Sequence, residues 1–180
     1  NQVLSVFTQT ITVTDHTAPV WTTVPNSLDR TLECNDITGI AAAQALVPLA
    51  SDNCDASLTP VKNAGNFTAG SCPQAGTYTN TWTVTDDCGN TVSAVYTQTI
   101  TITDHTAPVW TTAVNSLDRT IECSDATGLA SAQALFPVAS DNCDIDVTNI
   151  NKVAGAFVPS PSCSQAGTYT NTWTVADDCG

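Results

Sequence analysis

A tandem duplication constrains this chain more than any other feature. Residues 15–23, Asp-His-Thr-Ala-Pro-Val-Trp-Thr-Thr, return at residues 104–112, so the offset is 104 − 15 = 89. Past Cys72 and Cys163 the offset is 91, and residues 75–82 return as residues 166–173. Near-identical tandem copies are typical of rod-like arrays, whereas an enzyme needs one unique pocket.

Each copy has the size of one small domain. Because Asn1 matches Asn90, residues 1–15 are predicted to be the last strand of a preceding repeat. Residues 16–104 are then a complete repeat, and residues 105–180 are a second repeat that lacks its last strand. Two explanations stay open. The sequence is an excerpt of a longer array, or its first strand completes a neighbouring molecule by strand addition.

The charge is strongly one-sided. Seventeen acidic residues stand against four basic ones, for a net charge of −13. Such a chain does not attract the phosphates of nucleic acid or an anionic membrane surface. It either repels its own copies or binds cations. No apolar run approaches the ~20 residues of a membrane helix, so this segment is not expected to insert into a membrane.

The eight cysteines fall at equivalent places, four in each copy. Even, repeated cysteines in a small domain indicate disulfides and an oxidising compartment, hence an extracellular or cell-surface location. Zinc is the competing interpretation, but zinc sites favour cysteines two to four residues apart or paired with histidine. The gaps of 16 to 20 residues here favour disulfides.

Alternating residues predict antiparallel strands. In the stretch 77–84, Tyr78, Trp82 and Val84 share one face and threonines occupy the other. A similar stretch at 92–102 follows the turn sequence Asp-Asp-Cys-Gly-Asn, so the two form a hairpin. Shorter strands are predicted at 19–22, 28–33 and 61–67, with a short helix at 40–46. The predicted fold class is all-β: tandem immunoglobulin-like antiparallel β-sandwiches with Greek-key links.

The repeated motifs resemble a known family. They are Asp-Asn-Cys-Asp at 52–55, Gly-Thr-Tyr-Thr-Asn-Thr-Trp at 76–82, Asp-Asp-Cys-Gly-Asn at 86–90, Thr-Gln-Thr-Ile-Thr-Ile-Thr-Asp at 97–104 and Thr-Ala-Pro at 106–108. This pattern is similar to bacterial HYR-like (hyalin-repeat-like) domains over essentially the whole chain. The resemblance implies an immunoglobulin-like sandwich in a tandem array, as in large surface adhesins and gliding-motility proteins of Bacteroidota.

An immunoglobulin-like path through each unit suggests how the cysteines pair. It places Cys34 and Cys72 at one end of the sandwich and Cys54 and Cys88 at the other. The predicted bridges, two per repeat, are Cys34–Cys72, Cys54–Cys88, Cys123–Cys163 and Cys143–Cys179. Four cysteines allow three pairings, and the sequence leaves the other two open.

The same path gathers acidic residues at one end of each unit, where the linker enters. Calcium takes six to eight oxygens from carboxylates, Asn side chains and carbonyls, so a stiffening calcium site is one interpretation. The other is that these residues cap turns through their own backbone. The candidate metal ligands are Asp15, Asp52, Asn53, Asp55, Asp86 and Asp87, and in the second unit Asp104, Asp141, Asn142, Asp144, Asp177 and Asp178.

No catalytic residue is predicted. Adjacent Asp86 and Asp87 should point to opposite faces of a strand, whereas a glycosidase needs two facing carboxyls. His16 and His105 are predicted to be linker surface residues. Trp21 and Trp110 are expected to pack at the junction between domains, with an exposed platform for sugars as the alternative.

These observations favour a structural repeat of a long extracellular rod or filament, a stalk for adhesion or gliding. Its partners would be neighbouring repeats of the chain or neighbouring subunits. An array of carbohydrate- or protein-binding modules with surface glycans as partners is one alternative, and a spacer attached to a secreted enzyme is another. The copies differ mainly at residues 56–60 against 145–151 and in the loop at residues 68–73, and such limited variation favours a spacer over a binding array.

Overall fold

The computed structural model of the protein describes residues 5–180. Most of the regular structure is in strands, and each unit carries one short helix. The first unit contains β1 (Val20–Trp21), β2 (Arg30–Glu33), α1 (Ile37–Gln44), β3 (Ala50–Ser51), β4 (Val61–Asn63), β5 (Thr68–Ala69), β6 (Gly76–Thr83) and β7 (Tyr96–Thr103). The second unit contains β8 (Val109–Trp110), α2 (Ala126–Gln133), β9 (Ala139–Ser140), β10 (Asn149–Val153), β11 (Val158–Ser160), β12 (Cys163–Thr168) and β13 (Thr172–Ala176).

The predicted hairpin is the centre of the first unit. Strands β6 and β7 pair antiparallel from Gly76↔Ile102 to Trp82↔Tyr96. Between them lies the predicted turn, where Gly89 has a φ of 90°, a conformation that suits glycine. The sheet order is β2-β7-β6-β4, with β5 also on β6, and β1 pairs with β3 in a smaller sheet. The all-β, immunoglobulin-like prediction is confirmed, and one pairing, β2 with β7, is parallel.

The core follows the predicted alternation. Trp82 and Val84 are each 1% exposed, and Ile100 is fully buried. Thr79 and Thr83 lie on the exposed face. The register of β6 is therefore the one that buries its apolar residues.

Helix α1 begins three residues earlier than predicted, and an aspartate caps the start of each helix. Asp36 precedes α1, and its carboxylate accepts a hydrogen bond of 2.8 Å from the Gly39 backbone N–H. Asp125 and Gly128 repeat this arrangement at α2. Aspartate satisfies backbone donors at a helix start, which explains why the helices begin there. Among residues 5–180, neither eight-residue helix has the length and apolar character needed to cross a bilayer.

The second unit repeats most elements of the first. Residues 119–122, the counterpart of β2, form no strand within the described chain, and the counterpart of β6 is divided into β12 and β13. Trp173, which matches the buried Trp82, is only half-buried. Within residues 105–180 no strand corresponds to β7, and β12 and β13 pair with β11 and β10 instead.

Residues 5–15 have the sequence of a β7 strand but not its environment. Phe7 is 93% exposed, Ile11 76% and Val13 89%, whereas the matching Tyr96, Ile100 and Ile102 are 4% exposed or less. These side chains therefore do not contribute to the core of the unit that follows. Asn1 and Val3, which match Asn90 and Val92 ahead of β7, lie outside the described residues.

Candidate functional site: the junction between the repeats

Two disulfides cross from one unit to the next. Cys34 follows β2, and its backbone N–H donates a hydrogen bond of 2.9 Å to the Thr103 carbonyl, directly before the linker. This position faces the second unit, and Cys34 is bonded to Cys143, with Cα atoms 5.9 Å apart. Cys72 is likewise bonded to Cys179, with Cα atoms 5.1 Å apart. Both Cα separations are ordinary for a disulfide.

This connectivity corrects the predicted pairs Cys34–Cys72 and Cys143–Cys179. The predicted grouping at the ends of the sandwich still holds in part, because Cys34 and Cys72 both face the junction. Each bonds across the junction rather than within its own unit, because the loops that carry Cys143 and Cys179 lie next to Cys34 and Cys72. The predicted Cys54–Cys88 and Cys123–Cys163 bridges are not formed either, since these four cysteines are unbonded and exposed within residues 5–180.

A contact between a histidine and a glutamate also joins the linker to the first unit. His105, in the linker, places Nδ1 2.7 Å from Oε1 of Glu33 at the end of β2. The hydrogen bond from His105 is the main cause that holds the pKa of Glu33 below its ordinary value. The histidine side chain is 73% exposed, as predicted for a linker surface residue, yet it contacts the preceding unit.

Two clusters of three carboxylates form among the predicted metal ligands. Oxygens of Asp104, Asp141 and Asp177 lie within 4.8 Å of one another at the junction. The equivalent Asp15, Asp52 and Asp86 form the same arrangement at the other end of the first unit. Asp104 also lies beside the Cys34–Cys143 bridge, within 4.8 Å of both sulfur atoms.

In these clusters, one carboxylate oxygen of an aspartate accepts hydrogen bonds from backbone N–H groups and so stabilises a turn. Oδ1 of Asp141 accepts hydrogen bonds from the backbone N–H groups of Cys143 (2.8 Å) and Asp144 (3.1 Å). Oδ1 of Asp177 does the same for Cys179 and Gly180. This is the turn chemistry that the sequence offered as the alternative to calcium.

The second oxygen is often buried and unpaired. Oδ2 of Asp52, Asp104 and Asp141 each lack a hydrogen-bond partner among the described residues. A buried carboxylate oxygen without a partner is unfavourable, and a cation would satisfy it. The two interpretations are therefore compatible: Oδ1 holds the turn while Oδ2 remains able to coordinate.

Burial, neighbouring charges and hydrogen bonds shift the pKa values of groups in and beside the clusters. Burial is the main cause that raises the pKa of Asp104, and the nearby Asp141 and Asp177 carboxylates add to it against a hydrogen bond from the Thr106 backbone. Burial also tends to raise the pKa of Asp86, but hydrogen bonds from Asn90, Cys88 and Gly89 outweigh it and lower that pKa. Burial and the neighbouring aspartates raise the pKa of the Cys54 and Cys88 thiols.

The other predicted ligands lie outside these two clusters. Asn53 and Asn142 donate to the sulfur atoms of Cys54 and Cys143. Oδ2 of Asp55 accepts from the Asp87 backbone N–H, and Asp87 is itself exposed. Oδ1 of Asp178 accepts from Asn149. Asp144 is 4% exposed and its Oδ2 is unpaired among the described residues, so it is the one further carboxylate with a free buried oxygen.

The tryptophans after the linkers differ from the expectation. The Nε1–H of Trp21 donates a 2.8 Å hydrogen bond to the Ala94 carbonyl, and its ring packs edge-on to Tyr96. Both partners belong to the same unit, so Trp21 packs within its own sandwich and not at the junction. Trp110, the equivalent residue of the second unit, is 41% exposed.

A buried polar network was missed by the sequence reasoning. Asn80 and Gln98 are both fully buried, and Asn80 Nδ2 donates to Gln98 Oε1 (3.0 Å) and to Gln44 Oε1 (2.9 Å). Gln98 Nε2 donates to the carbonyls of Leu28 (2.7 Å) and Ala43 (3.1 Å). The sequence did indicate it, because Asn80 and Gln98 are polar residues at inward positions of otherwise apolar strand faces.

Comparison with protein families agrees with the architecture. Residues 22–102 match the family described as an HYR-like domain with 4 cysteines. This match supports the resemblance for the first unit, and with it an extracellular, adhesion-type module. No curated protein and no solved structure shows significant similarity to the chain.

Proposed function

We propose that the chain is a structural segment of a long extracellular rod or filament, displayed on a bacterial surface as a stalk for adhesion or gliding. One observation carries the proposal: two disulfides join successive repeats across their junction. A single-chain linker lets two domains rotate, whereas two covalent bridges beside it hold their relative orientation. Such a connection suits a part that transmits force rather than one that carries out chemistry, so we propose no catalytic role.

Further contacts at the junction support stiffness. The His105–Glu33 contact ties the linker to the preceding unit. Asp104, at the start of the linker, meets Asp141 and Asp177 of the next unit. We propose that calcium binds there, because it would neutralise three close carboxylates and coordinate the unpaired oxygens of Asp104 and Asp141.

The carbohydrate-binding alternative has weaker support. Trp21 would have to lie exposed to stack on a sugar, yet its Nε1 and ring are both engaged within its own unit. Trp110 is 41% exposed, but no aromatic ring of the described residues is paired with it to extend a flat platform. A spacer between the modules of a larger secreted protein is compatible with the same rod geometry.

Small-angle X-ray scattering of the chain tests the rod. The oxidised chain should scatter as one elongated, rigid particle with the two units end to end. After reduction and thiol blocking, the mean shape should become more variable because only the linker and non-covalent contacts remain. A double variant, Cys34→Ser with Cys72→Ser, should match the reduced chain without any reductant. Oxidised and reduced chains that are equally flexible would contradict the proposal.

A further inference from the structure

The carboxylates that meet at the junction are also the groups that hold the bridging cysteines in place. We call Asp104, Asp141 and Asp177 the junction cluster, since their carboxylate oxygens lie within 4.8 Å of one another. Each of the three aspartates has its own structural connection to a cysteine of one of the two bridges. A cation bound by the junction cluster would therefore act on the same turns that the bridges join.

Asp141 connects the junction cluster to the first bridge from the side of the second unit. Its Oδ1 accepts a hydrogen bond of 2.8 Å from the backbone N–H of Cys143, the residue that is bonded to Cys34. Its Oδ2 is buried and has no hydrogen-bond partner among the described residues. One side chain thus fixes the backbone of a bridging cysteine and keeps an oxygen for a cation.

Asp104 connects the junction cluster to the same bridge from the side of the first unit. It follows Thr103, whose carbonyl accepts a hydrogen bond of 2.9 Å from the backbone N–H of Cys34. This bond holds Asp104 beside the bridge, and one of its carboxylate oxygens lies within 4.8 Å of the sulfur atoms of both Cys34 and Cys143. Its Oδ2, like that of Asp141, is buried without a partner in the described chain.

Asp177 extends the connection to the second bridge. Its Oδ1 accepts a hydrogen bond of 2.9 Å from the backbone N–H of Cys179, which is bonded to Cys72. The Asp177 side chain is itself buried. The junction cluster therefore contacts a cysteine of each bridge, and the turns that carry these cysteines move with its carboxylates.

A fourth, buried carboxylate indicates a cation in addition to turn formation. Asp144 directly follows Cys143, and its backbone N–H donates to Oδ1 of Asp141 at 3.1 Å. Its side chain is 4% exposed, and its Oδ2 has no partner within residues 5–180. In the first unit the equivalent Asp55 lines a cavity of about 140 Å³ together with Asp15. A buried carboxylate oxygen without a partner is unfavourable, and calcium is the cation whose ligands are such oxygens.

We propose that calcium binding at the junction cluster and closure of the Cys34–Cys143 bridge are coupled, so that each favours the other. This coupling rests on the junction and the calcium site of the proposed function and adds their regulation. The closed bridge holds the turn of Asp141 against Asp104, so the ligands are already assembled when calcium arrives. Once the bridge is open, the carboxylates are free to separate, because like charges at this distance repel.

The coupling is reciprocal by thermodynamic necessity. If the bridge tightens calcium binding by some factor, calcium must make the bridge harder to reduce by the same factor. Couplings between two sites are typically roughly 5- to 150-fold. The junction would then be stiffest where calcium and oxidising conditions occur together, and the removal of either would weaken the other.

A dithiothreitol redox buffer at constant pH tests the coupling on the 180-residue chain. Reduction of the bridge takes up two electrons and two protons, and dithiothreitol supplies both as it closes to its cyclic disulfide. At equilibrium, alkylation traps the free thiols, and the peptides of Cys34 and Cys143 give the reduced fraction. We expect saturating calcium, compared with a chelator at equal ionic strength, to lower the equilibrium constant for reduction roughly 5- to 150-fold. An unchanged constant would overturn the proposal.

Two variants separate the junction cluster from a general effect of charge. Asp104→Asn keeps an oxygen for the hydrogen bond from the Thr106 backbone N–H (3.2 Å) but removes the charge, so the calcium-dependent shift should be lost. Asp146→Asn removes the same charge from an exposed residue outside the junction cluster, so the native shift should remain. Equal shifts in the two variants would contradict the role of the junction cluster.

Calorimetry of the oxidised and the fully reduced chain with calcium completes the test. The reduced chain should bind calcium more weakly, by the factor that the redox measurement gives. Equal affinities would overturn the coupling and leave the proposed calcium site standing. A chain that binds no calcium in either state would overturn both, whereas the rod itself depends on the scattering experiment and would be unaffected.

Discussion

Nδ1 of His105 lies 2.7 Å from Oε1 of Glu33, so a linker residue at the start of one repeat binds the end of a strand in the repeat before it. This contact is exposed to solvent, but it joins the linker to the preceding unit, so its presence shows that the two are held together. It also gives the junction a pH dependence that can be measured at one carboxyl group.

The carboxyl of Glu33 should titrate below its ordinary range, because the hydrogen bond from His105 favours the charged form. The sign follows from the lowered pKa: the contact contributes above the pKa of a free Glu33 and is lost as the pH falls through the lowered value. Carboxyl ¹³C NMR of the folded chain measures this. His105→Ala should raise the pKa of Glu33, whereas the matched His16→Ala should leave it unchanged. An unchanged Glu33 titration in His105→Ala would show that the contact does not form.

Calcium should bind where the three carboxylates meet. Calorimetry of the chain should detect binding in the range typical of extracellular modules, roughly 10⁻⁴–10⁻³ M. Asp141→Asn keeps a turn-forming oxygen and removes the charge, so it should abolish the junction site. Asp118→Asn, outside both carboxylate clusters, is the control and should bind as the native chain does. Equal heats for the native chain and for Asp141→Asn would leave these aspartates as turn formers alone.

The two equivalent tryptophans should differ in their contribution to stability. Trp82 is 1% exposed, so Trp82→Ala should lower the unfolding free energy of the first unit by about 3–5 kcal/mol. Trp173→Ala should cost clearly less, because that side chain is only half-buried. Native-state hydrogen exchange of peptides from each unit measures both values. Equal losses would mean that the second core is as complete as the first.

Replacing Gln98 tests the buried network. Gln98→Leu removes the acceptor of Asn80 and leaves the Leu28 and Ala43 carbonyls without their donor. Unpaired buried polar groups cost about 1–3 kcal/mol each, so the first unit should lose stability although the side chain becomes more apolar. Gln9→Leu, at the equivalent position of the exposed segment, should leave the isolated chain unchanged. A more stable Gln98→Leu variant would show that the network is not needed for folding.

Much of the fold could be predicted because the alternation in each strand is strong. The burial of Trp82 and the exposure of Thr79 and Thr83 follow from period-two patterning alone. The start of α1 was predicted three residues late, because the apolar stretch beginning at Ile40 outweighed the capping signal of Asp36. The polar network went unnoticed, because Asn80 and Gln98 each form bonds to residues distant in the sequence.

The site was predicted less completely, for a physical reason. The sequence placed Cys34 and Cys72 at one end of a unit, and both do face one junction. It could not show that the next unit packs directly against that end, because the relative position of two domains depends on contacts distributed over both. The sequence did predict that Asp104 meets acidic residues of the next unit, and Asp141 and Asp177 are the two that lie with it.

Non-reducing peptide mapping of the freshly purified monomer tests the central claim most directly, because it reads which sulfur atoms are joined. We expect Cys34 to be recovered with Cys143 and Cys72 with Cys179, so that both bonds link residues of different repeats. Recovery of Cys34 with Cys72 and of Cys143 with Cys179 would contradict it, because each repeat would then be stapled only to itself and the rod would have no covalent junction.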